Sequence, residues 1–161
     1  MKKIKEFLPY VLILVGVVLI KLFVVGTVRV NGNSMYPTLK NNDIMILNKI
    51  SYYFKNIERF DIVVVKYKDH YIIKRVIGLP GEVVEYKDNK LYIDGRKIKD
   101  RYNSVNQEDF IKNLDKDEYF VMGDNRGDSL DSRIVGPIDK KEIMGNSEFI
   151  IFPFSRFGNE K

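Results

Sequence analysis

The apolar and polar positions divide the chain into one long apolar segment and a series of short runs. Residues 7–28 contain a single charged side chain, that of Lys21. As an α-helix this segment would be about 33 Å long, close to the hydrocarbon thickness of a bilayer. A buried soluble helix fits less well, because the segment is apolar on every face. The pattern predicts a transmembrane anchor over residues 7–28, after a tail of residues 1–6 and before one domain over residues 29–161.

Charges at the start of the chain predict the orientation of this anchor. Lys2, Lys3 and Lys5 outnumber Glu6 in the tail, and basic residues beside a membrane helix stay on the cytoplasmic side. The domain after residue 28 is then expected outside the cytoplasm. The alternative is a cleavable signal peptide, but cleavage sites need small residues in an Ala-x-Ala-like arrangement and the chain contains no alanine. A retained anchor is the favoured interpretation.

The rest of the chain has the short β-branched and aromatic runs that are typical of strands. Tight turns separate them, among them Asp88-Asn89, which predicts a hairpin. Many short strands with tight turns favour a mostly β domain, in which an antiparallel sheet coils into a barrel-like or sandwich-like shape. Residues 99–118 are polar and poorly patterned. The predicted strands are 44–47, 61–67, 71–77, 83–86, 90–93, 96–98, 119–122, 142–144 and 148–152.

Composition excludes several classes of site. The chain has 161 residues, no cysteine and a single histidine, His70, so it can hold neither a disulfide nor a metal on thiolates or a histidine cluster. No cofactor is expected. The net charge of +5 is concentrated at the start, where residues 1–25 hold four lysines and one glutamate. Because no basic stripe with interleaved aromatic residues follows, nucleic-acid binding is not expected.

Ser34 and Lys74 are the candidate reactive residues. A serine needs a base before it can attack a carbonyl, and with no cysteine and one histidine a lysine is the most plausible base. On a strand, Ile72 and Val76 would lie on the same face as Lys74. Burial of that face would lower the lysine pKa and leave a neutral amine that can take a proton. Taken alone, the strand pattern favours a Lys74 whose tip reaches water, and a lone loop serine such as Ser34 is usually a cap or a solvated hydroxyl.

A polar loop, Gly123–Arg133, is the third candidate element. Its eleven residues include three carboxylates, two arginines and two serines. A plain surface loop or a calcium loop would share that composition, but the Asp-x-Asp-x-Asp-Gly frame with a glutamate at its twelfth position is missing. Two arginines also disfavour a cation site. Asp–Arg pairs that hold a loop beside a reaction centre fit better.

Together these segments resemble the sequence boxes of bacterial type I signal peptidases. Ser34–Leu39 is similar to the nucleophile box of that family, and Phe60–Val64 is similar to the strand box that follows it. Lys74–Gly81 resembles the lysine box, and Gly123–Arg133 resembles the last box. Four boxes in the right order are far more specific than any one of them. The resemblance covers nearly the whole chain and outweighs the simpler interpretations of the isolated residues.

The resemblance implies a membrane-anchored serine–lysine endopeptidase that removes signal peptides from exported preproteins through an acyl-enzyme. Ser34 would be the nucleophile and Lys74 the general base, and Ser129 would orient the Lys74 amine. The implied fold is an antiparallel, coiled β-sheet domain outside the cytoplasm with a small inserted β region. Here that insert would cover residues 83–118, approximately.

Supporting residues are implied as well. Asp124 would pair with Arg75, and Asp131 with Arg133. Some family members carry a serine two residues before the nucleophile, whose hydroxyl helps to hold the oxyanion. Here that position is Gly32. The oxyanion would then depend on the N–H of the nucleophilic serine and on a second donor, for which the backbone near Gly32 is the candidate.

The implied substrate is an extended segment of a preprotein at the outer face of the plasma membrane. It would add to strand edges through backbone hydrogen bonds. Small side chains at the first and third positions before the cut would enter shallow pockets, for which Met35, Ile72 and Ile73 are the candidate lining residues. The chain itself would be a single-pass membrane protein in contact with the lipid bilayer.

Other functions fit parts of the same pattern. A related Ser–Lys self-cleaving protein would carry a DNA-binding domain or a soluble cleavable arm in place of the membrane segment. A non-catalytic, membrane-anchored β scaffold would have no activity for Ser34→Ala to remove. A histidine-based signal peptidase would need His70, which lies outside the matched box. A β-lactamase-type enzyme is excluded, because no serine is followed three residues later by lysine.

Overall fold

The computed structural model describes residues 2–102 and 108–160. Within them the chain forms twelve strands in two antiparallel sheets, which confirms the mostly β fold predicted from the short apolar runs. The strands are β1 (Val25–Arg29), β2 (Ile44–Asn48), β3 (Ile62–Tyr67), β4 (His70–Gly78), β5 (Val83–Lys87), β6 (Lys90–Ile93), β7 (Arg96–Lys97), β8 (Phe110–Asn113), β9 (Glu118–Met122), β10 (Ile138–Asp139), β11 (Ile143–Phe152) and β12 (Gly158–Asn159). The α-helices are α1 (Lys2–Leu19), α2 (Ser51–Phe54) and α3 (Ser132–Val135), and short π or 3-10 turns cover Ile20–Val24, Lys140–Glu142 and Phe154–Arg156.

The larger sheet has eight strands in the order β1-β2-β11-β3-β4-β9-β10, with β12 added beside β11. Its centre is built from β-branched side chains, which pack well on a pleated surface. Residues 62–65 of β3 are all buried. In the β3–β4 hairpin, Val63 lies opposite Lys74 and Ile62 lies opposite Arg75. The middle of the sheet therefore fixes where these two basic side chains start.

The predicted barrel-like closure is wrong for the residues that the structure describes. β1 and β10 are the two ends of the larger sheet and do not pair with each other. β10 contains only two residues, so it offers little backbone for closure. Two strand edges are left open as a result. They are the outer side of β1 and the side of residues 70–74 of β4 that β9 does not reach.

The smaller sheet has four strands in the order β7-β6-β5-β8. The hairpin predicted at Asp88-Asn89 is confirmed, since Lys87 lies opposite Lys90 and the two turn residues have φ of 50° and 59°. Residues 110–113, which belong to the stretch without a clear pattern, form β8 and pair with β5. All four strands lie within residues 83–118, the range expected for the insert, of which 103–107 are outside the described residues.

One long strand takes the place of two predicted ones near the end of the chain. The runs 142–144 and 148–152 are joined in β11, which crosses the larger sheet. Gly145 makes this possible. Its φ is 151°, and a Cβ there would lie 2.2 Å from the Asn48 carbonyl oxygen. Because this glycine and the polar residues after it interrupt the apolar alternation, the sequence pattern shows two runs.

The N-terminal segment also differs from its prediction. The helix α1 contains Pro9 and continues through a π-helical turn to Val24, after which β1 begins at Val25. Residues 25–28 of the predicted anchor therefore belong to the sheet, where Thr27 lies opposite Ile46. The sequence pattern could not show this boundary, because the strand residues are as apolar as the helix before them. None of the helices in the described parts of the chain has the length and apolar character needed to cross a membrane.

Candidate active site

Ser34 and Lys74 meet at the open edges of the larger sheet. The Lys74 Nζ donates hydrogen bonds to the Ser34 Oγ at 2.8 Å and to the Ile73 carbonyl oxygen at 2.9 Å. Lys74 comes from β4 and Ser34 from the turn that follows β1. Next to them, Met35 and Ile73 are buried in the same apolar cluster. This packing holds the serine turn against the lysine strand.

The Lys74 amine is nearly dry. The residue is 2% exposed, and burial lowers its pKa to about 8, although the negative charges of Asp131 and Asp124 act in the opposite direction. Within the described part of the chain, no carboxylate forms a salt bridge with Lys74. A fraction of the Lys74 amine is therefore neutral near pH 7. In that state the Ser34 hydroxyl can donate to the Lys74 Nζ across the same 2.8 Å.

The turn that carries Ser34 is held from two sides. The Asn125 N–H donates to the Ser34 carbonyl oxygen at 3.0 Å, and the Asn125 side chain donates to the Asn33 carbonyl oxygen at 3.2 Å. Farther along, the Arg156 guanidinium donates to the Thr38 carbonyl oxygen at 2.6 Å. These contacts leave the Ser34 side chain at the surface of the groove while its backbone is fixed.

The backbone around Ser34 limits the choice of oxyanion donors. Among the residues that the structure describes, none accepts a hydrogen bond from the Ser34 N–H. The Gly32 N–H, in contrast, already donates to the Asn41 Oδ1 at 2.9 Å. The expected second donor near Gly32 is thus engaged elsewhere in this structure, and the Ser34 N–H is the donor that faces no competing acceptor.

Ser129 lies behind the reactive pair and packs on Gly123. A Cβ at Gly123 would come within 2.2 Å of the Ser129 Oγ and 2.4 Å of the Ser34 carbonyl oxygen, so only a glycine allows this approach. The Ser129 Oγ is buried and has no hydrogen-bond partner in the described structure. The Lys74 amine donates to Ser34 and Ile73 rather than to Ser129. The structure therefore brings Ser129 to the site without the predicted contact to the amine.

The four supporting residues form two ion pairs. Arg75 donates to both oxygens of Asp124 at 2.8 Å, and the two side chains are 5% and 1% exposed. Arg133 donates in the same way to both oxygens of Asp131 at 2.8 Å. Two-point pairing of this kind fixes orientation as well as distance. The pairs join β4 to the polar loop and stiffen the loop itself.

Asp131 accepts hydrogen bonds from several parts of the polar loop. Burial acts to raise its pKa, but hydrogen bonds from Arg133 and from the Gly123 N–H outweigh burial and lower it. The Ser129 hydroxyl contributes to this lowering although it does not reach hydrogen-bond geometry. Asp131 thus stays ionised beneath the lysine, where its charge opposes complete loss of the ammonium form.

Two further contacts hold the site, and the sequence pattern does not predict them. Asp100 forms a buried ion pair with Arg126 of the polar loop. The Tyr102 hydroxyl lies 2.7 Å from the Thr38 Oγ1 in the serine turn. Asp100 and Tyr102 belong to the unpatterned stretch 99–118. In the sequence, the one indication of these contacts is Arg126 of the last box, whose charge requires a carboxylate partner if it is buried.

An open groove of about 760 Å³ runs past the reactive pair. The three candidate pocket residues all line it beside Ser34 and Lys74, and they are Met35, Ile72 and Ile73. Met35 and Ile73 are buried and Ile72 is half-buried, so the groove floor is apolar. Its sides include the two open strand edges, β1 and residues 70–74 of β4. An extended peptide could hydrogen-bond to both edges.

The arrangement suits nucleophilic attack on a peptide carbonyl. A hydroxyl lies against an amine of lowered pKa, a free N–H lies on the nucleophile itself, and a groove with strand edges lies in front. Across the described residues, no group of three or more histidine, aspartate or glutamate side chains is placed to hold a metal ion. The hydroxyl, the amine of lowered pKa and the groove together provide for serine-based acyl transfer.

Comparison with known proteins gives the same class. Residues 3–152 match the family model described as signal peptidase, peptidase S26. Signal peptidase I S of Bacillus subtilis (strain 168) is 39% identical over 96% of this chain and 92% of its own length. Signal peptidase I V of the same strain is 40% identical over 90% of this chain and 96% of its own length. A signal peptidase I of Bacillus amyloliquefaciens is 39% identical over 89% and 85%.

A solved structure matches as well. The crystal structure of a signal peptidase I from Enterococcus faecalis V583 superposes with a TM-score of 0.53 at 34% sequence identity. The match covers 57% of this chain and 97% of that one. The antiparallel architecture described above is therefore similar to that of a signal peptidase I of known structure.

Proposed function

The chain belongs to the signal peptidase S26 family, and we propose that Ser34 and Lys74 carry out its reaction. As a member of that family it is a serine endopeptidase that removes signal peptides from preproteins. The observation that supports the assignment of residues is the 2.8 Å contact between the Ser34 Oγ and a buried lysine amine. In the described part of the chain, that pair lies in the groove with two open strand edges.

The proposed reaction proceeds through an acyl-enzyme. The Ser34 Oγ bonds to the scissile carbonyl carbon while the Lys74 Nζ takes the hydroxyl proton. The resulting ammonium returns this proton to the leaving amine as the C–N bond breaks. Water then attacks the ester, and Lys74 takes the water proton. When the ester bond breaks, that proton restores the Ser34 hydroxyl. The Ser34 N–H stabilises the oxyanion in both halves of the reaction.

We propose supporting roles for Ser129, for the pair Arg75–Asp124 and for the pair Arg133–Asp131. Ser129 is proposed to orient the Lys74 amine once the Ser34 hydroxyl has lost its proton, since its own hydroxyl is buried beside Gly123 and has no other partner in the described structure. The ion pairs of Arg75 and Arg133 hold the strand and loop that carry the reactive pair.

Substrate selection is proposed to follow from the shape of the groove. A preprotein segment in extended form would pair with β1 on one side and with residues 70–74 of β4 on the other. The floor formed by Met35, Ile72 and Ile73 is apolar, and we propose that the pockets on it are shallow. Small side chains at the first and third positions before the cut are therefore expected to fit, and large ones are not.

Two substitutions test the assignment of the reactive residues. Ser34→Ala removes the nucleophile, and Lys74→Met removes the base while keeping an unbranched apolar side chain in the buried site. Each should lower kcat/KM for a preprotein by about 10⁴-fold or more, as loss of a member of a catalytic unit does. Cleavage is followed by gel shift with the full chain in detergent. Far-UV circular dichroism and the thermal midpoint serve as controls, and wild-type cleavage by either folded variant contradicts the proposal.

We also propose that residues 7–24, the part of the predicted anchor that precedes β1, attach the enzyme to the plasma membrane, with the tail in the cytoplasm and the catalytic domain outside. Large apolar side chains along α1 support this, for example Phe7 at 64% and Leu12 at 62% exposed. Since the chain has no cysteine, single cysteines placed at Lys3 and at Lys90 can report topology. Only the second should react with an impermeant maleimide in intact cells, and equal labelling of both contradicts the orientation.

A further inference from the structure

A second groove lies where the N-terminal helical segment meets the larger sheet. Its volume is about 550 Å³, and it shares no lining residue with the groove at Ser34. The wall combines exposed aromatic side chains with basic ones. Phe23 and Tyr53 are among the former, and Lys49, Lys140 and Lys141 are the latter.

The aromatic rim of the second groove is exposed. Tyr53 is 84% exposed and Phe23 is 66% exposed, and Phe54, which follows Tyr53 in α2, is also 84% exposed. Large apolar side chains grouped at a surface mark a contact with a partner or a membrane, and aromatic residues are enriched at the level of lipid headgroups. Phe23 lies in the turn that ends the apolar helix, so the rim continues the surface of the proposed membrane segment.

The basic side chains of the groove come from two separate elements. Lys49 follows β2, and its Cε would lie 3.1 Å from a Cβ at Gly26, so its stem crosses the start of β1. Lys140 and Lys141 begin the turn before β11. Among the described residues, no acidic side chain lines the groove, although Asp139 beside it pairs with Lys141 at 2.8 Å and the charge of Glu142 acts on Lys141 as well. Three lysines against these two carboxylates leave the groove with a net positive charge at the height where the apolar helix ends.

We propose that this groove binds the headgroup phosphate of an anionic phospholipid. The lysines match the phosphate charge, and the aromatic rim matches the adjoining acyl-chain region, so one lipid molecule satisfies both features. A soluble anion would use the lysines and leave the rim exposed. The proposal rests on the proposed membrane attachment of residues 7–24, because that attachment places the groove at the membrane surface.

The test uses the full chain in neutral detergent micelles. Dihexanoyl-phosphatidylglycerol is titrated in, with dihexanoyl-phosphatidylcholine as the uncharged match, and binding is read from the thermal midpoint and by calorimetry. The double variant K49Q/K140Q should bind the anionic lipid at least about tenfold more weakly, since each lysine near an anionic surface contributes about a fivefold gain in affinity. The matched control K87Q/K90Q removes the same charge from the β5–β6 hairpin and should bind like the wild type.

Three outcomes overturn the proposal. They are equal binding of the anionic and the uncharged lipid, equal loss of binding in the two double variants, and an effect of inorganic phosphate as large as that of the lipid at the same concentration. The last outcome would assign the groove to a soluble anion. Two parallel measurements keep the earlier proposals separate. Cleavage in detergent and sedimentation with carbonate-washed membranes should both persist in K49Q/K140Q.

Discussion

The two sheets differ in the kind of side chain that they bury. The smaller sheet packs an apolar cluster that includes Val84, Leu91 and Ile93, and no charged residue in its described strands is buried. The larger sheet encloses buried charges, and most of these are tied into two-point ion pairs such as Arg75–Asp124. Most of the charge taken out of water therefore lies in pairs beside the reaction centre, since an unpaired buried charge is costly. Asp61, buried beside Tyr52, is an exception away from that centre.

Breaking a buried pair should have the largest effect on stability. Asp124→Asn leaves the Arg75 charge buried without its carboxylate, so the free energy of unfolding should fall by about 3–5 kcal/mol. Glu82→Gln is the matched change at the boundary with the smaller sheet, where Arg59 and Glu82 are about one-fifth exposed. It should cost less than about 1 kcal/mol. Urea unfolding followed by circular dichroism measures both, and equal losses would contradict the distinction between the two regions.

Next in size is the pH dependence of cleavage. The pKa of Lys74 is lowered to about 8, and only the neutral amine can accept the Ser34 proton. The value of kcat/KM should therefore rise with pH and level off above about 8. At pH 6 it should be about 100-fold lower, because about 1% of the amine is neutral there. A profile in detergent with a peptide substrate tests this, and a flat profile between pH 6 and pH 8 would argue against a lysine base.

A smaller effect is expected from Ser129→Ala. If the hydroxyl bonds to the Lys74 amine during the reaction, its loss removes a hydrogen bond to a charged group, worth about 1.5–3 kcal/mol. The value of kcat should fall about 10-fold to 100-fold while KM and the thermal midpoint change little. A purely structural serine would instead shift the midpoint and leave kcat per folded molecule unchanged.

The smallest effect on cleavage should come from the apolar core of the smaller sheet. Leu91→Ala removes a fully buried side chain and should lower the free energy of unfolding by about 2–5 kcal/mol. Because no charge is exposed or unpaired by the change, kcat/KM per folded molecule and its pH profile should match the wild type. A shifted pH profile would show that the smaller sheet helps to set the Lys74 environment.

Local chemistry made the strands and the reactive residues predictable. The β-branched runs of β3 and β4 and the Asp88-Asn89 turn act over a few residues, so their structure can be inferred without the rest of the chain. The boxes around Ser34 and Lys74 carry their residue types in a fixed order, which is why they could be recognised before any geometry was known.

Contacts between distant parts of the chain could not be predicted from the sequence. Whether β1 meets β10 depends on strands more than a hundred residues apart, and no local pattern encodes it. The ion pair of Asp100 with Arg126 is hidden in a polar stretch for the same reason. The start of β1 at Val25 is hidden too, because valines fit a membrane helix and a strand equally well.

The close approach at Gly123 restricts how the polar loop can diverge over evolutionary time. Any side chain there would collide with Ser129 and with the backbone of Ser34, while Gly127 in the same loop faces open space. A saturation library selected for secretion should therefore lose every replacement at Gly123 and keep many at Gly127. Natural variation in the loop can therefore accumulate around Gly127, but not at Gly123, which touches the backbone of the nucleophile.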